Sequence, residues 1–344
     1  MNDTAYSLDD VLLEPQYSTI KSRLNTNVST ALTKHCVIDI PIMATNMSTV
    51  TEYSMMKAMN DLGGVGALHR FLSTESQTAI VSEAVKNHLY PIVASIGIGD
   101  NEFTRAEALI DAGAQIIMVD VAHGHCEGVN NQLYELKDKY PSIDVIVGNI
   151  ATEQAVTDFC NWGADAIRVG IGGGARCTTR TVTGHGVPNL TALVNTVKAR
   201  NDYHSRTGVY VPIIIDGGIK NSGDIVKALY FGADVACIGN LIAGTDETPG
   251  EIIHGAQGKV KKYYGMASKD AQDTHRGGMK SGTAAEGFSS SVPYKGSVIP
   301  IIEELVGGIR SGLTYSNAKD INELRRKGRV MYLTPASQSE SKLR

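Results

Sequence analysis

The sequence lacks the features that mark membrane, secreted or nucleic-acid-binding proteins. It has no apolar run of about 18 residues, the length that a transmembrane helix needs. Its first residues contain neither a basic stretch nor an apolar core, which predicts a protein without a secretory signal. The formal net charge is only −4, with lysines and arginines dispersed, so neither nucleic acid nor a membrane is an expected partner. We therefore expect a cytoplasmic protein.

Cysteine is also scarce, and its distribution excludes a disulfide framework. The chain has 5 cysteines, an odd number without a CxxC pair, which predicts free thiols, a reducing compartment and no structural zinc. Cys160 and Cys237 lie in apolar segments, where a buried thiol behaves as a small, inert hydrophobic group. Cys177 differs, because it follows a glycine-rich run and has cations and hydroxyls beside it.

The main positive feature is a repeat of apolar strand, polar turn and amphipathic helix. The predicted strands are Pro41–Thr45, Val65–His69, Ile92–Ile96, Ile116–Val121, Val145–Ile150, Ala166–Ile171, Ile213–Asp216 and Val235–Ile238. Continuous apolar strands are typical of a parallel sheet covered on both faces. Gly113, Gly163 and Gly232 each follow a predicted helix, where glycine supplies a left-handed end. The sequence thus predicts an α/β protein, a (β/α)8 TIM barrel in one domain over residues 1–344, with an open doubly wound sheet as the alternative.

Three segments fall outside this repeat. Residues 1–40 precede the first barrel strand and are predicted to form a lid over the barrel's N-terminal face. Residues 250–296 are rich in glycine, serine and lysine without a long apolar period, which predicts an unpatterned loop. Within it, we expect residues 266–293 to form a mobile active-site flap. Residues 335–344 are polar and are expected to form a frayed tail.

Glycine-containing loops follow the last two predicted strands, at the pole where barrel enzymes carry their active sites. Gly217 and Gly218 follow Asp216, and Asn240 follows Gly239. Glycine lets the backbone approach an anion closely, so these loops predict a phosphate site, with plain tight turns as the alternative.

The segment 170–180 reads Gly-Ile-Gly-Gly-Gly-Ala-Arg-Cys-Thr-Thr-Arg. An unperturbed thiol is only about 3% ionised at pH 7, so a nucleophilic cysteine needs positive charge or oriented amides nearby. Arg176 and Arg180 are the candidate cations, and Thr179 is a candidate proton relay. These residues predict Cys177 as the nucleophile acting on a phosphate-bearing ligand.

This loop, with Thr183-Gly184 after it, resembles the catalytic loop of the IMP dehydrogenase/GMP reductase family. Further matching segments are Asp9–Leu13, Asp120–His125, Asp216–Gly218, Tyr264–Met266 and Pro293–Gly296. Their order and spacing agree from about Tyr6 to Thr334, and together they are highly specific. The resemblance implies a homotetrameric barrel whose cysteine attacks C2 of a purine 5′-monophosphate beside a nicotinamide cofactor.

The resemblance also implies roles for individual residues. Cys177 is the implied nucleophile, and Thr179 and Glu286 are the implied proton relay. The implied substrate-binding residues are Met47, Asp216, Gly217, Gly218, Gly239, Asn240, Tyr263, Gly265, Met266 and Ala267. The implied cofactor-binding residues are Asp120, Ala122, His123, Asn149 and Gly170. The backbone carbonyls of Gly172, Gly174 and Cys177 are the implied ligands of a potassium ion, although a tight turn explains the same glycines.

Two activities in the family share the covalent intermediate, and the flap favours one of them. Dehydrogenases typically activate water with an Arg-Tyr pair on a longer flap, whereas no tyrosine lies between Met266 and Glu286. Asn46 and the absence of a paired regulatory module also favour the reductase. The barrel strands and the residues around Tyr263 and Tyr294 favour the dehydrogenase. We expect NADPH-dependent reduction of GMP to IMP, with NAD-dependent IMP dehydrogenation as the alternative. The sequence has no motif that distinguishes NADPH from NADH as the cofactor of the reductase.

The sequence departs from the family pattern at the predicted phosphate site. Ala175 stands where the family has a serine that binds phosphate, Asn240 where serine or glycine is usual, and Thr283 where reductases carry a flap arginine. A hydrogen bond to a charged group contributes roughly 1.5–3 kcal/mol. A related or modified purine nucleotide therefore remains open as the substrate, as does a non-catalytic nucleotide sensor. A flavin-dependent barrel is a further alternative, but it leaves the Cys177 loop unexplained.

Overall fold

The computed structural model describes residues 4–255 and 258–340, except the side chain of Arg276. The start of the predicted lid segment and the last four residues of the predicted tail lie outside the described residues. Among the helices of the described part of the chain, none is long and apolar enough to cross a membrane.

Eight parallel strands close into a barrel. The strands in chain order are β1 (Val11–Leu13), β2 (Thr30–Ala31), β3 (Val37–Ile38), β4 (Ile42–Ala44), β5 (Val65–Leu68), β6 (Val93–Ile96), β7 (Ile116–Asp120), β8 (Asp144–Ile150), β9 (Ala166–Val169), β10 (Ile213–Asp216), β11 (Val235–Ile238), β12 (Ile253–Gly255), β13 (Gly258–Tyr264), β14 (Ser289–Pro293) and β15 (Val330–Tyr332). The barrel consists of β4 to β11 in sequence order, and β11 pairs with β4 to close it. All eight predicted strands form, with small shifts at their ends, so the predicted TIM barrel is confirmed.

Helices cover the outside of the barrel. The helices in chain order are α1 (Tyr53–Asp61), α2 (Thr74–Lys86), α3 (Asp100–Asp111), α4 (Glu127–Lys139), α5 (Glu153–Asn161), α6 (Thr179–Thr183), α7 (Asn189–Thr207), α8 (Ser222–Tyr230), α9 (Lys269–Arg276), α10 (Ile299–Tyr315), α11 (Ile321–Lys327) and α12 (Pro335–Glu340), of which α6 lies in the Cys177 loop and α9 in the predicted flap. Gly113, Gly163 and Gly232 follow α3, α5 and α8 with φ of 107°, 94° and 102°. These positive values are the left-handed conformation that the glycines predicted.

The barrel interior is a packed apolar core closed at one end. Inward-facing side chains such as Met43, Ile116 and Ile214 form one cluster with Leu32 and Ile38 from the β2–β3 hairpin. The hairpin therefore plugs the N-terminal face of the barrel, as expected of a lid.

The rest of the described N-terminal segment does not cover the N-terminal face of the barrel. The predicted lid over residues 1–40 is thus limited to the β2–β3 hairpin. Strand β1 pairs antiparallel with β15, and the short 3-10 helix Leu8–Asp10 packs on α8. The N-terminal segment thus lies along the outer helices, where it joins the C-terminal segment. The tail forms the short helix α12 over residues 335–340 instead of fraying there.

The region expected to be an unpatterned loop contains a small antiparallel sheet, in the order β12-β13-β14. Tyr263 pairs with Ser290 and Tyr264 with Ser289 at the end of this sheet. Helix α9 lies between β13 and β14 in the chain, so the sheet fixes both ends of the predicted flap.

Candidate active site

A cavity of about 650 Å³ opens at the carboxyl ends of the barrel strands. It is lined by the predicted site residues Met47, Asp120, Ala122, Asn149, Gly170, Gly172, Gly174, Cys177, Thr179, Asp216, Gly217, Gly218, Gly239, Asn240, Tyr263, Gly265, Met266, Ala267 and Glu286. His123 is the exception, because it is exposed and does not line the cavity.

A chain of hydrogen bonds leads from the thiol of Cys177 to a carboxylate. The thiol donates to Thr179 Oγ1 at 3.1 Å, and the Thr179 hydroxyl donates to Glu286 Oε2 at 2.7 Å. Backbone bonds fix the partners: Thr178 N–H donates to Glu286 O at 2.9 Å, and Glu286 N–H donates to Ala267 O at 3.0 Å. The arrangement allows a proton to move between sulfur and carboxylate through one hydroxyl.

The two arginines beside the nucleophile are engaged with other groups. The Arg176 guanidinium lies 5.0 Å from the ring centre of Tyr263 and 5.1 Å from that of Phe288, within cation–π range. Arg180 Nη2 donates to Val187 O at 2.9 Å. Within the described residues, the hydrogen-bond partner of the thiol is therefore Thr179. The positive charges of the two arginines act on the thiol through space and not through a hydrogen bond.

Arg168 on β9 links Asp120 and Asp216, two residues that line the cavity, and the sequence analysis missed it. Its Nη1 lies 2.9 Å from Asp120 Oδ1 and its Nη2 lies 3.1 Å from Asp216 Oδ2. Nη1 also donates to Asn46 Oδ1 at 2.8 Å. Burial disfavours the charged form, but the two carboxylates outweigh it and raise the pKa of Arg168 above its ordinary value. The sequence feature that could have identified Arg168 is a single arginine within the otherwise apolar strand Ala-Ile-Arg-Val.

Cys36, Cys160 and Cys237 are buried. The sequence predicted an inert, buried thiol at Cys160 and at Cys237. Burial raises the pKa of Cys237 to about 12 and the pKa of Cys160 and Cys36 to about 11. These thiols stay protonated near neutral pH. Cys177, by contrast, lines the cavity and is half-buried.

The glycine loops at the predicted phosphate site are required by close packing. Gly217 and Gly218 have φ of 82° and 75°. A Cβ on Gly170 would lie 2.1 Å from Asp216 O, and one on Gly239 would lie 2.8 Å from Thr45 Cγ2. The fold thus needs glycine at these positions whether or not a ligand binds. The presence of these glycines is therefore not by itself an indication of a phosphate site.

Several buried polar atoms that face this region have no partner among the described residues. They include Asn46 Nδ2 and Asn149 Oδ1. Asn149 Nδ2 is used, since it donates to Asp216 Oδ2 at 2.7 Å and to Gly170 O at 2.8 Å. Buried donors and acceptors are rarely left unpaired. The unpaired atoms therefore fit a polar ligand such as a carboxamide or a ribose.

The flap helix α9 is attached to the loop after β4. His275 Nε2 lies 3.1 Å from Ser48 Oγ and 3.4 Å from the Tyr264 hydroxyl. Ser48 N–H and its hydroxyl lie 3.4 Å and 3.5 Å from Met266 Sδ. The cluster Ser48, Tyr264 and His275, here called the flap anchor, thus holds the segment that leads to Glu286.

Comparisons with known proteins identify the family. Residues 5–344 match the family model of the IMP dehydrogenase / GMP reductase domain. A GMP reductase from Caenorhabditis elegans is 33% identical, covering 97% of this chain and 93% of the relative. An inosine-5′-monophosphate dehydrogenase from Cryptosporidium parvum is 36% identical, covering 97% and 94%. The crystal structure of a GMP reductase from Trypanosoma brucei in complex with guanosine 5′-monophosphate aligns over 99% of this chain and 98% of that one, with a TM-score of 0.90 and 30% identity. The chain is therefore an oxidoreductase of the IMP dehydrogenase/GMP reductase family.

Proposed function

We propose that the protein is a GMP reductase, which converts GMP to IMP and ammonia with NADPH. The observation that carries this proposal is the relay from Cys177 through Thr179 to Glu286. A leaving amino group needs a proton, and the relay ends in a carboxyl group that can deliver one.

The first step forms a bond between Cys177 Sγ and C2 of the purine and breaks the bond from C2 to the amino group. The thiol proton passes through Thr179 to Glu286, and the carboxyl group then protonates the departing ammonia. The product of this step is a thio-purine covalent intermediate. In the overall balance, GMP and NADPH consume two protons and give IMP, NADP⁺ and ammonium.

The family's nicotinamide cofactors carry the redox chemistry, and a bound NADPH would supply the hydride that replaces sulfur at C2. Asp120, Ala122, Asn149 and Gly170 are the residues proposed to hold it, and they share the cavity with Cys177. The unpaired Asn149 Oδ1 and Asn46 Nδ2 suit an amide-bearing ligand. His123 is not part of this set, because it lies outside the cavity lining.

The substrate is proposed to bind across the other half of the cavity. Asp216 suits the ribose hydroxyls, and the loops of Gly217, Gly218 and Gly239 suit the phosphate. Asn240 and Tyr263 complete the phosphate region. Met47, Gly265 and the backbone of Met266 and Ala267 then face the purine.

IMP dehydrogenation with NAD is the second candidate, because dehydrogenases are among the relatives at comparable identity. That reaction needs a base to activate water. The described flap contains no tyrosine between Met266 and Glu286, and Glu286 is already bonded to Thr179. This favours the reductase.

A related purine nucleotide is the remaining substrate hypothesis. Ala175 lines the cavity without a hydroxyl, and Asn240 lines it with a side-chain amide. Weak turnover of GMP beside clear binding of another 2-aminopurine nucleotide would support this hypothesis, whereas fast turnover at micromolar GMP would exclude it.

A potassium ion and a homotetramer are further proposals that follow from family membership. The carbonyls of Gly172, Gly174 and Cys177 are the proposed ligands, and Gly174 O already accepts Cys177 N–H at 3.1 Å. Replacing potassium by sodium in the assay tests the ion, and sedimentation tests the assembly.

The deciding experiment follows absorbance at 340 nm with GMP plus NADPH and, separately, with IMP plus NAD. Loss of NADPH with GMP, abolished by Cys177→Ala, is the expected result. Formation of NADH with IMP would instead establish the dehydrogenase and refute the proposal.

A further inference from the structure

Lys295 belongs to a motif, Pro293–Gly296, for which neither the relay nor the cavity lining provides a role. The residue lies two positions after the end of β14, and its side chain reaches the loop that follows β11. Its Nζ donates to Asn240 O at 3.0 Å and to Leu241 O at 2.8 Å. One ammonium group thus holds two consecutive carbonyls of the loop that carries Gly239 and Asn240.

The backbone of this loop does not supply partners for the two carbonyls. The loop begins as one helical turn, in which Gly239 O accepts the N–H of Ala243 at 2.8 Å. Among the residues that the structure describes, no backbone N–H donates to Asn240 O or Leu241 O. Carbonyls at the end of a helical turn lack partners within the turn, and a lysine side chain is one of the groups that can bind them. Lys295 therefore completes the hydrogen bonding of the turn.

We infer that Lys295 is a positioning residue for the substrate phosphate, and that it acts by holding the turn after β11 in place. The inference rests on the proposed function, in which Gly239 and Asn240 form part of the phosphate region. A peptide group is planar, so an ammonium bound to its carbonyl also fixes the orientation of its N–H. The two bonds of Lys295 therefore fix two successive peptide groups directly after Gly239 and Asn240, which line the cavity. Lys295 does not line the cavity itself, so its effect passes through the loop.

The backbone around Lys295 is attached to the same loop independently of its side chain. Lys295 N–H donates to Gly244 O at 2.9 Å, and Asp246 N–H donates to Gly296 O at 2.9 Å. A Cβ on Gly244 would collide with Pro293 O, so the two segments are in close contact. Removing the ammonium should therefore leave the segments packed and change only the start of the loop.

The test compares GMP with guanosine, which has the same base and ribose but no phosphate. Both are titrated into the full chain by calorimetry without cofactor, guanosine in competition with GMP. Lys295→Met keeps the apolar stem and removes the ammonium. It is expected to weaken GMP binding about tenfold, while guanosine binding changes by less than about twofold. A general loss of structure would weaken the binding of both.

Two further variants test whether a cation bound to the loop is the cause. Lys295→Arg keeps a cation with several N–H donors and should recover most of the GMP affinity. Lys262→Met removes one positive charge from an exposed position on β13 and should bind GMP as wild type. The pair separates the bonds to the loop from the net charge of the chain.

The outcomes separate this inference from the proposed function. GMP binding by Lys295→Met within about twofold of wild type overturns the role of Lys295 while leaving the reductase proposal intact. Equal losses for GMP and guanosine also overturn it, and so does an equal loss of GMP affinity in Lys262→Met. Absence of GMP and IMP binding in the wild type would refute the proposed function and this inference with it.

Discussion

Thr179 is the residue through which the thiol of Cys177 and the carboxylate of Glu286 communicate. The two distances, 3.1 Å and 2.7 Å, are within hydrogen-bond range, so the relay is continuous from the thiol to the carboxylate. Its two ends come from different parts of the chain, the loop after β9 and the flap. The hydroxyl is therefore the point at which one atom can be removed to break the relay.

Replacing Thr179 by valine, which keeps the shape but removes the hydroxyl, is expected to lower kcat by on the order of 10²-fold or more. Thr179→Ser retains the hydroxyl and should keep most of the activity. Initial rates at 340 nm with GMP and NADPH measure both variants. Equal rates for the two would mean that the proton does not travel through this residue.

The cysteines should differ sharply in reactivity toward iodoacetamide at about pH 8. The raised pKa values of Cys237, Cys160 and Cys36 leave only about one thiolate in a thousand or fewer at that pH, and these thiols are also buried. Labelling of the native protein should fall on Cys177 and Cys126, the two half-buried thiols. Mass spectrometry of tryptic peptides measures this, and added GMP should protect Cys177 alone. Rapid labelling of Cys237 would contradict the burial.

Arg168 and Gln272 show why residue patterns gave only part of the site. The residues of the glycine loops and the nucleophile lie in motifs that are contiguous in sequence. Arg168 sits alone within an apolar strand, and its bonds to Asp120 and Asp216 span three strands of the closed barrel. Gln272 of α9 also lines the cavity, and the direction of that helix must be known before its amide can be placed beside Met266. Such contacts depend on three-dimensional closure and cannot be read from local spacing.

Replacing Arg168 by methionine tests whether its charge holds the two halves of the cavity together. The change removes the cation that Asp120 and Asp216 share, although Arg70 Nε remains 3.6 Å from Asp120 Oδ2. Breaking a buried pair commonly costs about 3–5 kcal/mol. We expect a clear loss of stability in urea unfolding and loss of GMP binding. Adding Asp216→Asn should recover part of the stability but not the binding. Full binding by Arg168→Met would exclude this role.

At the scale of elements, the barrel was predictable and the flap was not. The barrel strands are buried on both faces, so their apolar runs are continuous and conspicuous. Strands β12 and β14 are largely exposed, and the longer β13 carries Lys259, Lys261 and Lys262, of which Lys261 is buried. Exposed strands do not leave the same apolar signature. The sheet therefore remained hidden in a segment that was expected to be a loop.

The flap anchor should control how firmly the flap is held. Ser48→Ala removes the hydroxyl that lies 3.1 Å from His275 Nε2 and 3.4 Å from the Tyr264 hydroxyl. Because a hydrogen bond contributes about 0.5–1.5 kcal/mol, tryptic cleavage at the exposed Lys280 should accelerate about two- to tenfold. Ser48→Thr keeps a hydroxyl and serves as the control. Cleavage of Ser48→Ala at the wild-type rate would show that other contacts hold the flap.

At the scale of the whole molecule, the two ends of the barrel differ: one contains the cavity and the other contains a buried ion-pair network. The cavity lies at the carboxyl ends of the strands. At the opposite end, Asp234 is buried just before β11, and its carboxylate lies 3.1 Å from Arg200 Nη1 and 2.9 Å from Arg325 Nη2. The Tyr210 hydroxyl also donates to it at 2.7 Å. This network joins α7, α11 and the start of β11, and no member of it lines the cavity.

Asp234→Ala should therefore lower stability without changing nucleotide recognition. It leaves Arg200 and Arg325 without their carboxylate, for which we expect a loss of about 3–5 kcal/mol in the free energy of unfolding. Asp202→Ala removes an exposed carboxylate 3.7 Å from Lys198 and should cost less than about 1 kcal/mol. Urea unfolding measures both, and GMP titration at low temperature should give the wild-type Kd for each. A weakened Kd in Asp234→Ala at temperatures where it is fully folded would mean that the two ends of the barrel are coupled, because the altered residue touches no part of the cavity.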